Sequence, residues 1–259
     1  MSFLFTQRQR ADSFGDNAEL YDRVRPQYPA ELVDALLKDQ PTTVLDVGCG
    51  TGIASRLFFD RGCDVVGVEP DERMAAVARR YGIPVEAGNF ETWDRGSRQF
   101  DLLIAAQSWH WVDPDAGAIK AADVLRPGGR IGLFWNQAFP GEAISEGLRR
   151  TYAECEPELG NTSVLLGERD VSLYAAIAEA ARSTQRWDDV VIEDFGHDAV
   201  YSTDAWLELT ATHSDHHTLP PERLHALLSI MRKEIDRGGG HVPVHYVSTL
   251  ITGTTRSAP

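Results

Sequence analysis

The sequence has only three cysteines, no apolar run of membrane length, and too few basic residues to balance its acids. Each shortage removes a class of protein. Cys49, Cys63 and Cys155 are odd in number and lack metal-type spacing, which argues against a disulfide framework or zinc cluster and leaves them as free thiols. The longest apolar runs, such as Leu102 to Ala106 and Val44 to Val47, are strand-length, whereas a membrane span needs roughly 20 residues. The opening "MSFLFTQRQRADSF" meets charge too early for a secretory leader, so a cytoplasmic location is expected. Lys+Arg of 25 against Asp+Glu of 39 gives a formal charge of -14, which repels a polyphosphate backbone. The pairs Arg79-Arg80 and Arg149-Arg150 are isolated and form no basic face. Neither nucleic acid nor membrane is an expected partner.

What is present is enough for one large domain with an insertion: 259 residues, of which 42% are hydrophobic. From residue 30 to about 136, strand and helix patterns alternate, as in a parallel sheet covered on both faces. Strands are expected at Thr43 to Val47, Asp64 to Glu69, Pro84 to Ala87, Asp101 to Ala106 and Arg130 to Trp135. Helices are expected near Ala30 to Leu37, Ile53 to Arg61, Pro70 to Tyr81 and Ala116 to Leu125, the last stopped by Pro127-Gly128-Gly129. This is an α/β, doubly wound sheet. Beyond Asn136 the pattern loosens into helical stretches, Ala143 to Cys155 and Val171 to Ser183. A strand-like Val190 to Tyr201, helices from Thr203 and Pro220, and an apolar Val244 to Thr252 follow. The expected division is a lead-in over 1–40, a ligand-binding core over 41–136, a helical cap insertion over 137–189, and strands and helices over 190–259 that complete the sheet.

Within the core, "VLDVGCGTG" places an apolar strand, Asp46, and glycines 48, 50 and 52 in one run. Alternate glycines permit a tight turn and close approach of a ligand to the backbone. A dinucleotide fingerprint, G-x-G-x-x-G/A, wants Gly or Ala where Ile53 stands, and no Gly-Lys-Ser/Thr follows to make a P-loop. A carboxylate at Asp46, just before the turn, opposes phosphates and favours a ligand carrying an amino group and a positive sulfur, which is S-adenosylmethionine. Glu69, ending the second strand, suits the two hydroxyls of an adenosine ribose.

At these residues the chain resembles the class I S-adenosylmethionine-dependent methyltransferases, in particular the type 11 group. The matching segments are "VLDVGCGTG", "VVGVEPDERM", "VEAGNFETW", "FDLLIAAQSWHWVDP" and "VLRPGGRIGLFWN". The upstream "AELYDRVRPQYP" and the later "YSTDAWLELTATHS" are similar to a trans-aconitate methyltransferase-like subgroup. The resemblance implies a Rossmann-like, mostly parallel seven-stranded sheet with an antiparallel last strand, and a small-molecule methyl acceptor. It implies that Gly48, Gly50 and Gly52 line the methionine part, with Asp46 beside them, and that Glu69 and the adjoining Pro70 meet the ribose. Asn89 stands where the family usually has an acid, and it and Phe90 serve the adenine.

Methyl transfer needs alignment above all, and a base where the attacking atom carries a proton. The end of the fourth strand brings Gln107, Ser108, Trp109 and His110 toward the crevice at the carboxyl ends of the strands. Gln107 is expected at the cofactor, and Ser108, Trp109, Trp135 and Asn136 at the acceptor. His110 is the candidate base, the alternative being that it packs the turn against the cofactor. Tyr21 and Arg25 in the lead-in are expected to cover the cofactor, Arg25 meeting its carboxylate. In "THSDHH", His213, Asp215, His216 and His217 mimic a metal site but lack a second cluster, so no metal is expected. The competing reading is a non-catalytic S-adenosylmethionine-binding sensor or partner subunit. The oligomeric state is left open, with a homodimer as one option.

Overall fold

The computed structural model describes residues 12–160, 171–217 and 219–256. Residues 1–11 of the expected lead-in and 161–170 of the expected insertion lie outside the described residues. Seven strands form one sheet: β1 (Thr43–Val47), β2 (Asp64–Glu69), β3 (Val85–Ala87), β4 (Phe100–Ala106), β5 (Leu125–Pro140), β6 (Trp187–Ser202) and β7 (His241–Thr255). Their order is β3-β2-β1-β4-β5-β7-β6, with β7 antiparallel to both of its neighbours and the first five strands parallel. The expected Rossmann-like sheet with an antiparallel last strand is therefore the observed one.

The central strands are apolar throughout because helices cover both of their faces. Helices α1 (Ala18–Val24), α2 (Ala30–Leu37), α3 (Ile53–Phe59), α4 (Glu72–Arg80) and α5 (Pro114–Val124) serve this core. Two of these starts fall a few residues from their expected positions, and caps explain both. Asp71 accepts from the Arg73 amide and starts α4 after Pro70, while Asp113 accepts from the Asp115 and Ala116 amides, with Pro114 in the first turn of α5.

The larger difference is in length. β5 does not stop at Trp135 but continues to Pro140, and its last residues pair with β7 from Val244 to Ser248, past the end of β4, where Ala106 meets Phe134. β6, β7 and the end of β5 thus project as a ribbon beyond the parallel core. Helices α6 (Glu142–Cys155), α8 (Thr203–Ala211) and α9 (Pro221–Arg237) pack on that ribbon. Ile144, Leu148 and Tyr152 meet Trp206, Met231 and Ile235 in a cluster separate from the main core.

The expected cap over 137–189 is accordingly divided. Helix α7 (Ser172–Ser183) turns Leu173, Tyr174 and Ile177 to Trp135 and Trp187 in the main core, whereas α6 joins helices that follow β6 in sequence. The division follows from which apolar face each helix carries and which partner can bury it. β6 is an edge strand whose outward residues include Asp188, Asp189, Glu193, Asp194 and Asp198, all exposed. Cys49 and Cys63 are buried free thiols and Cys155 is a half-buried one. Among the described residues, no helix is long and apolar enough to cross a membrane.

Candidate active site

The glycine turn leaves the end of β1 with Gly48 at φ 66, Gly50 at φ 56 and Gly52 at φ 83. Gly48 needs both its positive φ and its missing side chain, since a Cβ there would lie 2.6 Å from the Cβ of Ser108. At Gly52 a Cβ would lie 3.1 Å from that of Ala78, so the third glycine lets α3 approach α4. The turn is tied to β2: the Gly48 amide donates to Val68 O at 2.8 Å, and the Gly50 amide donates to Glu69 Oε2 at 2.9 Å.

Two buried carboxyls flank this turn. Glu69, 8% exposed, accepts through Oε1 from the Asp71 amide at 3.0 Å and through Oε2 from Gly50. Burial pushes it up to about 7, against the pull of those two amides. Asp46 has no exposed surface, and its Oδ2 accepts from Ser55 Oγ at 2.6 Å. Its Oδ1 is buried with no partner among the described residues, and burial pushes this carboxyl up to about 7 as well. An unpartnered carboxylate oxygen is costly to bury, and it is the donor-hungry group that a cationic or ammonium-bearing ligand satisfies. The set fits a cofactor with a ribose and positive charge better than a pyrophosphate.

Asn89 is half-buried after β3, one residue beyond Gly88, whose amide donates to Glu69 O at 3.2 Å. Phe90 is core, with its ring 5.9 Å from that of Trp109. Pro70 is exposed between Glu69 and the α4 cap. The structure therefore brings Asp46, the three glycines, Glu69, Pro70, Asn89 and Phe90 to one end of the sheet.

The lead-in reaches the same end. Asp22 holds Arg56 of α3 by two hydrogen bonds, 2.9 and 3.2 Å, and accepts from Tyr81 Oη at 2.8 Å, which fixes α1 over the helix that leaves the glycine turn. Arg25 stacks on the Tyr21 ring at 4.6 Å and donates through one terminal nitrogen to Thr212 O at 2.7 Å. Its Nε is buried without a partner among the described residues, so the guanidinium retains donors for an anionic group.

The residues after β4 divide differently from expectation. Gln107, at φ 57, sits in the left-handed region and donates through Nε2 to Asn136 O at 3.1 Å, a strained position of the kind that collects at functional sites. Ser108 spends its hydroxyl on Val47 O at 2.5 Å and closes the gap between β1 and β4. Trp109 and Trp135 are 1% and 0% exposed and belong to the core. Asn136 donates to Gln27 O at 3.0 Å and accepts from Ser248 Oγ at 2.5 Å. The two indoles are enclosed, and the polar groups of Ser108 and Asn136 are engaged with the protein, so meeting the acceptor requires these residues to give up those contacts.

His110 is engaged in the same interior. Trp135 Nε1 lies 3.2 Å from His110 Nδ1 in the buried interior. An indole nitrogen only donates, so Nδ1 is the lone-pair nitrogen and the ring proton is on Nε2. In that tautomer Nε2 carries the ring proton, and a base role for His110 requires Nδ1 to leave Trp135. Trp135→Phe should leave Nδ1 buried without its donor and lower stability by about 1 to 3 kcal/mol. Denaturant titration measures that loss, and ring nitrogen resonances of His110 should report a shifted tautomer.

Sequence reading missed Ser55, Asp22 and Thr212. Ser55 carried a signal, a lone small polar residue in the apolar "IASRLFF" beginning of α3. The other two depend on contacts across more than thirty positions.

Sheet order and site together define the Rossmann-like methyltransferase fold. Residues 44–129 match the family described as a methyltransferase domain. An uncharacterized methyltransferase of Mycobacterium bovis is 41% identical over 133 residues, 51% of this chain and 55% of that protein. The malonyl-[acyl-carrier protein] O-methyltransferase of Enterobacter lignolyticus is 34% identical over 127 residues, 46% of this chain and 50% of that protein. The chain spans about half the length of the curated relatives it matches. Among solved structures, a proposed type II methyltransferase from Anaeromyxobacter dehalogenans superposes with a TM-score of 0.65 at 20% identity, over 90% of this chain and 99% of that one. Phosphoethanolamine N-methyltransferase 2 of Haemonchus contortus, in complex with phosphomonomethylethanolamine and S-adenosylhomocysteine, gives 0.56 at 14% identity, over 99% and 61%.

Proposed function

We propose that this chain is an S-adenosylmethionine-dependent methyltransferase acting on a small organic molecule. The observation that carries the reading is the pair of buried carboxyls on either side of the glycine turn: Glu69 held by two amides, and Asp46 with one oxygen unpartnered. Asp46 repels a phosphate at the place where a dinucleotide puts one. Glu69 takes the ribose hydroxyls, Gly48 and Gly50 let the methionine part approach the backbone, Asn89 meets the adenine, and Arg25 meets the cofactor's carboxylate. When bound, the cofactor supplies a methyl group on a positive sulfur. The chain's own contribution is to align the acceptor with that group, exclude water beneath the cap and hold the charges.

The methyltransferase domain at 44–129 and the methyltransferase relatives support this reading at the level of reaction class. The net charge of -14 favours a small acceptor over nucleic acid. Calorimetric titration should give saturable binding of S-adenosylmethionine and none of NAD, with proton release that grows below pH 7 as the two carboxyls lose their protons to the incoming positive charge. NAD binding without any response to S-adenosylhomocysteine defeats the proposal. Cofactor binding with no product from any acceptor points to the sensor reading.

A further inference from the structure

His110 Nδ1 is engaged with Trp135, which leaves the proton acceptor of the site to be assigned. One other imidazole is placed to serve. His213 follows Thr212, whose carbonyl takes the Arg25 guanidinium at 2.7 Å. Three residues beyond it, His216 is fixed from both sides: Nδ1 lies 2.7 Å from Asp215 Oδ1, and Nε2 lies 2.7 Å from Tyr152 Oη. His217 Nε2 lies 3.0 Å from Asp16 Oδ2 at the start of the lead-in. The segment 212–217 is thus clamped to the lead-in at two points, and the lead-in is clamped through Asp22 and Arg56 to the helix that leaves the glycine turn. His213 lies in the segment that joins α6 through Tyr152 and the lead-in through Arg25 and Asp16. It is half-buried, stands edge-on to His216 at 6.1 Å between centroids, and its ring makes no hydrogen bond among the described residues.

We propose that His213 is the proton acceptor for the methyl transfer, and that the acceptor molecule is one whose attacking atom carries a proton, a hydroxyl, phenol or ammonium rather than a carboxylate. The inference rests on the methyltransferase reading above. Every other polar ring or hydroxyl named at this end of the sheet is spent on a structural contact, whereas His213 is not. The charged and titratable groups facing it are Arg25 from the end of α1, and Asp215 and His216 from its own segment. Burial and the Arg25 charge hold its ring well below the usual histidine range, although Asp215 opposes them. Asp215 is itself kept anionic: burial pushes it up, but the hydrogen bond and charge of His216 hold it well below the usual carboxylate range. The ring is therefore neutral and free to take a proton at neutral pH, although a ring held so low is a weaker base than one poised at the working pH. In the step, the attacking atom bonds to the methyl carbon, and the carbon–sulfur bond breaks with its electron pair left on sulfur. The proton of the attacking atom passes to a ring nitrogen of His213 and from there to water.

The test has two arms on the full chain. In the first, ring resonances of the ligand-free protein are followed against pH. His213 should remain neutral across the range where an ordinary histidine titrates, and Arg25→Gln should move its midpoint upward. In the second, phenols, primary amines and carboxylic acids are supplied as acceptors with S-adenosylmethionine, and release of S-adenosylhomocysteine is measured. Phenols or amines should react, His213→Gln should lower their rate by about 100-fold or more, and calorimetric cofactor affinity should stay within about twofold, the margin of a residue outside the cofactor's contacts. A His213 ring that titrates like an ordinary histidine overturns the inference. So does a His213→Gln rate within about threefold of the parent, a preference for carboxylic acids, or silence of phenols and amines with the cofactor bound. Failure to bind the cofactor strikes instead at the methyltransferase reading.

Discussion

Gly48→Ala is expected to lower stability by roughly 3 to 5 kcal/mol and to remove cofactor binding with it. Two effects add. The residue must hold a φ of 66, which a non-glycine residue adopts at a penalty of about 1 to 3 kcal/mol. Its new Cβ must also displace Ser108, 2.6 Å away. Ser108 cannot rotate aside freely, because its hydroxyl is bonded to Val47 O at 2.5 Å and closes the top of β1 against β4. Gly62→Ala provides the control: φ is 88, but nothing lies within 4 Å of its Cβ. That variant should lose only the backbone part. Urea titration of the two proteins compares them directly, and equal losses would refute the packing argument.

The second large effect concerns the two carboxyls and reverses the usual direction of acid stability. Asp46 and Glu69 both have folded values of about 7, above their ordinary values of 3.8 and 4.5. The folded, ligand-free protein therefore holds more protons than the unfolded chain between about pH 4 and pH 7, and these two groups withdraw stability as pH rises through that window. Below it their contribution is fully favourable, and above it the loss is complete, on the order of a few kcal/mol for the pair. Asp46→Asn should make the ligand-free protein more stable at pH 8 than its parent while weakening the cofactor by about 100-fold, the scale of a lost charge-assisted bond. Glu69→Gln should weaken the cofactor comparably and offers less relief, because its amide must face the Gly50 or Asp71 amide donor. Thermal unfolding at pH 5 and pH 8, paired with calorimetry, separates the two behaviours. His213, held below the usual histidine range, works in the opposite direction over part of this window, so the check is the comparison with Asp46→Asn: a variant whose change in stability from pH 5 to pH 8 equals the parent's would overturn the account.

The parts that were legible in sequence are those where local chemistry determines the outcome. An apolar "VVGVE" is a buried strand in any context that covers both faces, and glycines 48 and 52 state their φ values through their residue type. Glu69 could be located because a strand end fixes it. What sequence could not reveal was the use of polar side chains by partners distant in the chain. Ser108 and Asn136 read as acceptor contacts because they follow strands at the right end of the sheet. Val47, Gln27 and Ser248 reach them first. His110 read as a base because its type allows it, and only the indole of Trp135 on the neighbouring strand settles which nitrogen holds the proton. The division of the expected cap between two clusters was hidden for the same reason. Nothing local distinguishes α6 from α7 as amphipathic helices, and the partners that bury them lie as far away as Met231 and Trp187.

The acidic outer strand has a bearing on how copies of this chain behave together. β6 ends the sheet and offers a long row of unpaired amides and carbonyls, the usual template for adding a further strand from another molecule. Two such strands brought side by side would set Asp189, Glu193 and Asp194 against a second row of carboxylates, Asp188 and Asp198 being paired with Arg256 and His245. Water screens that repulsion beyond about 8 Å at physiological ionic strength, but neighbouring strands lie only about 4.8 Å apart. The carboxylates thus act as a spacer along the open edge, and concentrated solutions should keep their molecules separate.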